Sequence, residues 1–465
     1  MELEQSSLYR DVLAIITSGA KPVHYSWAAQ AHANGQDFMA MKVIQIDIMR
    51  DYENNYSDVI KCIMSFPKGT FWNMIYPYSD NLEMTLFKYP LQETGTQANQ
   101  NQPLETERYI AVLNNQNTPM VGSGAFSTTQ QTLDLTDLET VTVELVDRSL
   151  NQMRMMASPG AVFRGATPGQ VIQAVMTTES QKVVVDQQRI NKGVNMIAPN
   201  NTAVRDHVVI PAGIPLPHIP QYVHEKCGGV YTAGMGYYLQ NNYWFMYPCY
   251  DPTRANQSPP ALTIIDIPKN KFRGIERTYS QNGSNLTILA TGDVRFNDYS
   301  NHAQLNKGNG LRFADAAKMM EGFATVKNGI AIAARGVINT EAITVARPNG
   351  LNNAQTSRRP INANPFLEYG DMARRNGSQI SMVWENSNPS LITPGMLVKI
   401  MYLDQDGVSQ VFGVLNQAHH HVRMQGSGMT DTRHITDTAM SVFVQRPVGN
   451  GVNTGQGVLN TAPST

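Results

Sequence analysis

Residues 391–446 alternate apolar and polar side chains in short runs separated by glycine turns, a pattern that paired β-strands bury and helices do not. Pro394-Gly395 opens a strand over 396–403. Asp406-Gly407 turns the chain into a second strand over 408–415, a histidine run follows at His419, His420 and His421, and residues 440–445 close the block. The spacing predicts a compact antiparallel barrel or sandwich. No residues within it are spaced for chemistry.

The N-terminal half carries the same signal. Residues 5–18 are predicted to be a helix, capped by Ser6 or Ser7, with Leu8, Val12, Ile15 and Ile16 on one face and Gly19 at its end. A polar stretch runs from there to Gln36. Residues 38–150 read as a first β domain, in which Ile44, Ile46 and Ile48 alternate with Gln45, Asp47 and Met49, and Val141, Val143 and Leu145 with Thr142, Glu144 and Val146. Residues 93–103 form a Gln/Asn-rich loop between its strands. The stretch 155–260 differs. Thr167-Pro168 is an N-cap followed by proline at the first helical position. A second helix starts near Pro220 and stops at Gly228-Gly229. Residues 211–220 read as a rigid Pro-rich connector. An aromatic hairpin over 230–248 then turns at Gln240-Asn241-Asn242. Beyond 261 the pattern returns to strands, at 262–267, 286–290 and 329–334. A helix is expected at 311–323 and a long Asn/Arg/Pro-rich surface loop at 348–376. The fold class is therefore mainly β with an α+β insert: two β-barrel domains plus a helix and aromatic-hairpin insert. The expected domains are an N-terminal helix and arm (1–36), a first barrel (37–155), the insert (156–260), a second barrel (261–446) and a flexible C-terminal tail (447–465).

Composition narrows the function. Charged residues make up 16% of 465, against roughly 25% in ordinary soluble chains. Asn, Gln, Ser and Thr take their place, which suits surfaces that pack against other subunits, where burying charge is costly. Net charge is −1, without the basic footprint of a dedicated nucleic-acid binder. Arg358-Arg359 and Arg374-Arg375 are expected in loops. Three cysteines, Cys62, Cys227 and Cys249, lack C-x-x-C spacing and read as free thiols in a reducing cytoplasm. No signal-peptide core or membrane-length apolar run is expected.

Each candidate site has a plain structural alternative. His419 and His421 share one face of a strand, with His420 opposite; they could begin a zinc site completed by His434 or Asp431, or stand as barrel-wall histidines near an interface. The second reading is preferred. Gly228-Gly229, Gly234 and Met235-Gly236 do not complete a nucleotide-binding loop and read as tight turns. Asp47, Asp51 and Glu53 read as a solvated strand exit. The aromatic run 231–250 reads as hairpin core, and Cys227 and Cys249 as packed within it. No catalytic, cofactor-binding or metal-ligating residues are assigned, and no enzyme activity is expected.

Three passages carry a family resemblance. They are the strand set from Val43-Ile44-Gln45-Ile46-Asp47-Ile48 to Asn81-Leu82-Glu83-Met84-Thr85-Leu86; Ala166-Thr167-Pro168-Gly169-Gln170-Val171-Ile172 with Ile219-Pro220-Gln221-Tyr222-Val223 and the hairpin to Tyr250; and Thr393-Pro394-Gly395-Met396-Leu397-Val398 to Ala439-Met440-Ser441-Val442. Together they span most of the chain. Their order resembles the baseplate hub proteins of contractile phage tails, and is similar to the hub portion of type VI secretion spike proteins. The resemblance implies a homotrimer whose two barrels per subunit form a pseudo-six-fold ring. That ring adapts the six-fold tail tube to a three-fold central spike supplied by a separate protein. Implied neighbours are the tail tube ring, the spike, the tape measure and baseplate wedge proteins, with DNA passing transiently through the lumen. No stable membrane insertion is implied. The implied location is the virion tail baseplate, after assembly in the host cytoplasm. The alternatives are another tail component (tube, completion or adaptor ring), a metal-dependent hydrolase using His419 and His421, and a glycan-binding protein.

Overall fold

The computed structural model describes residues 7–17, 24–91, 102–113, 137–186, 188–189, 191–268, 275, 277–298, 312–314, 342–346, 352–356, 365–375, 377–404, 407–425 and 433–445. The expected strand at 329–334, most of the loop 93–103 and the tail 447–465 lie outside them.

Helix α1 (Ser7–Thr17) buries Leu8, Val12 and Ile15, the face its spacing predicts. The chain then enters β1 (His24–Ala33), β2 (Gln36–Met39), β3 (Lys42–Asp51), β4 (Val59–Pro67), β5 (Glu83–Leu91), β6 (Glu105–Leu113) and β7 (Leu138–Asp147). Strand β1 corrects the expected polar arm. Its inward residues Ala29, Ala31 and Ala33 are too small to stand out from Ser26, Gln30 and His32, so period 2 has little amplitude there.

The insert follows. After α2 (Arg148–Met155) come β8 (Ala161–Ala166), α3 (Pro168–Ser180), β9 (Val184–Val185), β10 (Gln188–Arg189), β11 (Gly193–Met196), β12 (Arg205–Ile210), α4 (Ile219–Lys226), β13 (Met235–Gln240) and β14 (Tyr243–Pro248). Thr167 and Gln170 form a reciprocal capping box on α3. The aromatic hairpin β13–β14 turns at Asn241 and Asn242, both at positive φ, the geometry of a tight hairpin turn. Tyr231, Tyr238, Trp244 and Tyr247 are buried, as expected of hairpin core. Strand β11 adds parallel to β14.

The last part contains β15 (Leu262–Ile267), β16 (Tyr279–Asn282), β17 (Asn285–Asp298), β18 (Arg312–Ala314), β19 (Ala342–Ala346), β20 (Asn352–Thr356), α5 (Pro365–Arg375), β21 (Gly377–Trp384), β22 (Leu397–Asp404), β23 (Gly407–Met424) and β24 (His434–Gln445). Two expectations change here. Residues 312–314 form a strand parallel to β19, not part of a helix. The stretch 348–376 holds β20 and α5 rather than an unbroken loop. Its Asn/Arg composition masks a helix that starts at Pro365.

The main sheet has fourteen strands, and their pairing closes on itself twice. One ring runs β23-β3-β4-β7-β6-β5-β1-β24; the other runs β15-β22-β23-β24-β21-β17 and returns to β15. Both contain the β23–β24 pair. Along β23, residues 407–414 pair with β22 and residues 417–423 with β3. The first ring closes narrowly, where Tyr25 pairs with His434 and the Trp27 N–H donates to Nδ1 of His434 at 3.2 Å. A bulge between Leu415 and Gln417 switches the inward parity of β23. Leu415 faces the second core, while His420 and Val422 face the first. Both interiors are packed with side chains. Ile46, Cys62, Met64, Leu86 and Val143 fill the first, and Ile264, Ile288, Trp384, Ile400 and Val442 the second. Helix α1 lies against Ile265, Ile267 and Leu289 of the second ring.

Candidate functional site

The apolar interior of the first ring gives way at one end to charged and polar side chains. Period 2 carries each strand there. After Ile46 and Ile48, β3 turns Arg50 inward. Just ahead of β4 and its inward Ile60, the chain presents Asp58. After Met84 and Leu86, β5 presents Lys88. Strand β6 adds Glu105, Glu107 and Tyr109, β1 adds Tyr25 and Trp27, and β23 adds His420. Arg50, Lys88, Tyr109 and His420 are all buried.

Arg50 is where three parts of the chain meet. Its Nε donates to Asp58 Oδ2 at 3.1 Å, and Asp58 Oδ1 accepts from the Tyr238 hydroxyl of the insert at 2.9 Å. Its Nη1 donates to the Pro389 carbonyl at 2.7 Å, in the second-ring segment that follows β21. The Gln240 amide of β13 donates to the Ile392 carbonyl of that segment at 2.7 Å. Burial opposes charge on Arg50, but Asp58, Tyr52 and Tyr238 outweigh it and hold its pKa above the usual guanidinium range. Taking such a pair out of water costs several kcal/mol per ion, so it persists only because partners surround it.

Beside it, burial and then the Arg50 charge depress the His420 pKa well below the usual imidazole range. Its Nε2 lies 3.3 Å from Arg50 Nη1 and its Nδ1 2.7 Å from Thr438 Oγ1. Thr438 contacts Ser387 Oγ at 2.5 Å, and Ser387 donates to the Thr436 carbonyl. At the edge of the layer the exposed Glu107 accepts a hydrogen bond from the hydroxyl of the buried Tyr109. Lys88 Nζ lies 3.1 Å from Glu105 Oε1, 3.2 Å from Asn388 Oδ1 and 4.5 Å from the centre of the Tyr25 ring. Burial lowers its pKa.

The sequence candidates are dispersed. His419 is half-buried and His421 exposed on the outer face of β23, where His421 pairs with Asp47 at 2.9 Å. His434 turns away from both, with Nε2 2.9 Å from the Val43 carbonyl. Asp431 lies outside the described residues. Among the described residues no group of three or more His, Cys, Asp or Glu side chains converges as a metal site.

Asp47, Asp51 and Glu53 are not one solvated strand exit. Asp51 caps its own turn, accepting from the backbone N–H groups of Glu53 and Asn54. The Glu53 side chain is only 6% exposed and accepts from Tyr250 at 2.7 Å and Arg374 at 3.0 Å. Arg374 therefore sits on α5 in an ion pair rather than in a loop; Arg358-Arg359 lie outside the described residues. Gly228, Gly229 and Gly234 have positive φ, as turn glycines do. Gly236 has another role: a Cβ there would lie 2.3 Å from the Tyr247 ring. Cys249 is buried as expected, but Cys227 is only half-buried at the end of α4.

A cavity of about 240 Å³ opens between the insert and α5, bordered by Glu53, His224, Glu225, Tyr237, Cys249 and Phe366. It is smaller than the roughly 300–1,000 Å³ of ordinary small-molecule sites. No helix among the described residues is long and apolar enough to cross a membrane.

The polar layer had no sequence signature. Its members come from segments hundreds of residues apart; the Arg50–His420 contact spans 370. The only available signal was charge at inward positions of otherwise apolar strands.

No protein-family model matches the chain, and no curated protein matches it by sequence. Several solved structures follow a similar path. The tail protein from Neisseria meningitidis MC58 has a TM-score of 0.43 and 10% identity over 90% of this chain and 96% of that one. The 43 kDa tail protein of prophage MuSo2 from Shewanella oneidensis gives 0.43 and 10% over 91% and 100%. The Francisella PdpA-VgrG complex in its half-lidded form gives 0.39 and 10% over 94% of this chain and 61% of that one. At these values the similarity is a loose one of chain path.

Proposed function

We propose that this chain is a structural, non-catalytic virion protein: the baseplate hub of a contractile phage tail. It forms a trimeric ring between the six-fold tail tube and a three-fold central spike. The observation that carries this reading is the fusion of two strand rings through one shared hairpin. Each copy then brings two strand rings, of eight and six strands, in fixed relation, and three copies around an axis present six. Apolar residues left on the surface, including Met39, Met41, Met74 and Leu138, suit contacts with neighbouring subunits, because methionine adapts to irregular surfaces. Since both ring interiors are filled with side chains, DNA would pass between subunits and not through a ring. The partners are further copies, the tube ring and the spike, with tape measure and wedge proteins beyond.

Sedimentation equilibrium on the full chain, alone and with tube protein, tests this. The expected mass is three times 51.4 kDa. A chain that stays monomeric at high concentration under both conditions overturns the proposal. A six-copy ring replaces it with a tube-like or adaptor role.

A further inference from the structure

Lys88 is set up for more than an ion pair. It sits on the inward face of β5, directly between Trp27 on β1 and Glu105 on β6 in the strand registers. Its amine lies against the Tyr25 and Trp27 rings, at 4.5 and 5.7 Å from their centres. The side chain is only 3% exposed, so water cannot stabilise an ammonium there as it does at a surface. Three acceptors surround the amine: the Glu105 carboxylate at 3.1 Å, the Asn388 side-chain oxygen Oδ1 at 3.2 Å and the Ser390 hydroxyl at 3.3 Å. Asn388 is held in place. Its Oδ1 accepts from the Ser390 N–H at 3.3 Å, and Pro389 follows it. Ser390 Oγ donates to the same Glu105 oxygen at 2.8 Å.

A desolvated lysine amine is a nucleophile, and with Oδ1 of Asn388 3.2 Å away the amide carbon lies one bond beyond the hydrogen-bonded oxygen. We infer that Lys88 and Asn388 form an intramolecular isopeptide bond, with Glu105 moving the protons. Lys88 first gives a proton to Glu105, which leaves both groups neutral. The Nζ lone pair then attacks Asn388 Cγ. The new C–N bond forms as the carbonyl π electrons move to Oδ1, which takes the Glu105 proton. The Glu105 carboxylate next removes a proton from Nζ and passes it to Nδ2. The Cγ–Nδ2 bond breaks, ammonia leaves, the carbonyl re-forms and its proton returns to Glu105. Amine plus primary amide become secondary amide plus ammonia, with no oxidant or reductant.

The bond would tie β5 of the first ring to the segment after β21 of the second, across 300 residues of sequence. The two rings would then be joined covalently as well as through their shared hairpin. Such a cross-link acts on the unfolded ensemble whatever the strength of the surrounding contacts.

Intact-mass spectrometry of the full-length folded chain tests the inference. The expected result is a mass about 17 Da below that of the sequence, the loss of one ammonia, with a branched peptide joining Lys88 to residue 388 in the digest. Lys88→Arg keeps the charge but removes the nucleophile, and Glu105→Gln removes the proton carrier; both should show the full mass. An unmodified mass for the folded wild type overturns the inference, as does an ammonia loss that maps elsewhere. Retention of the branched peptide in Glu105→Gln overturns the role given to Glu105.

Discussion

Nη1 of Arg50 lies 3.3 Å from Nε2 of His420, and that contact orders every proton beyond it. A guanidinium only donates, so His420 Nε2 must be bare and its proton must sit on Nδ1. Nδ1–H then donates to Thr438, Thr438 to Ser387, and Ser387 to the Thr436 carbonyl. A second proton on His420 would break the chain at its head and put a cation against Arg50.

Stability should therefore depend on pH through His420. Its folded pKa lies below the usual 6.5, so the unfolded chain takes up the proton first as pH falls. The stabilisation is complete above pH 6.5 and is lost as pH drops below it, by about 1.4 kcal/mol per pH unit for one proton. His224, lowered to about 4 by burial, acts in the same direction. Asp266, raised to about 6 by burial, acts in the opposite direction between pH 6 and its unfolded value. His420→Gln should flatten the wild-type curve between pH 6.5 and 4.5, because His224 and Asp266 are common to both chains. Urea unfolding at stepped pH reads the difference; parallel curves would remove His420 from the account.

Arg50→Met should cost about 3 kcal/mol, the lower end for breaking a partly desolvated ion pair, because Asp58 stays behind. Adding Asp58→Leu should recover part of that loss. Denaturant midpoints of the single and double variants measure both effects.

Gly413→Ala probes the shared hairpin. A Cβ at this position would lie 2.5 Å from the Phe443 carbonyl oxygen and 2.5 Å from a Val442 methyl. Forcing β23 from β24 should cost about 1–3 kcal/mol. Because the hairpin belongs to both rings, Trp27 in the first and Trp384 in the second should report one unfolding transition at a lower midpoint. Two separated transitions would mean that the rings are stabilised independently.

Thiol chemistry should separate the three cysteines. Burial pushes the Cys62 and Cys249 thiols far up, whereas Cys227 is half-buried and its pKa is raised less. At pH 8 a disulfide-exchange reagent should label Cys227 first in the native chain, and all three in denaturant. Rapid native labelling of Cys62 would contradict the closed first ring.

Elements made by neighbouring residues were legible in the sequence. Helix α1 follows from the spacing of Leu8, Val12 and Ile15, the start of α3 from Thr167 and Pro168, and the hairpin turn from two asparagines that tolerate positive φ. The strands of both rings follow from period 2 wherever the inward residue is large. Where it is alanine, as in β1, the period disappears into noise.

What the tertiary structure alone decided is which strands share a sheet and what lies between the rings. The pairing of His421 with Asp47 spans 374 residues, and closing so long a loop leaves no local trace. The bulge at Asn416 changes which residues of β23 face inward, so one continuous pattern serves two interiors. Arg50, Asp58, Lys88, Glu105 and His420 carry ordinary polar labels in the sequence. Their meeting in a buried layer comes from ring closure, because charge at an inward position becomes a junction only when partners arrive from the other ring and the insert.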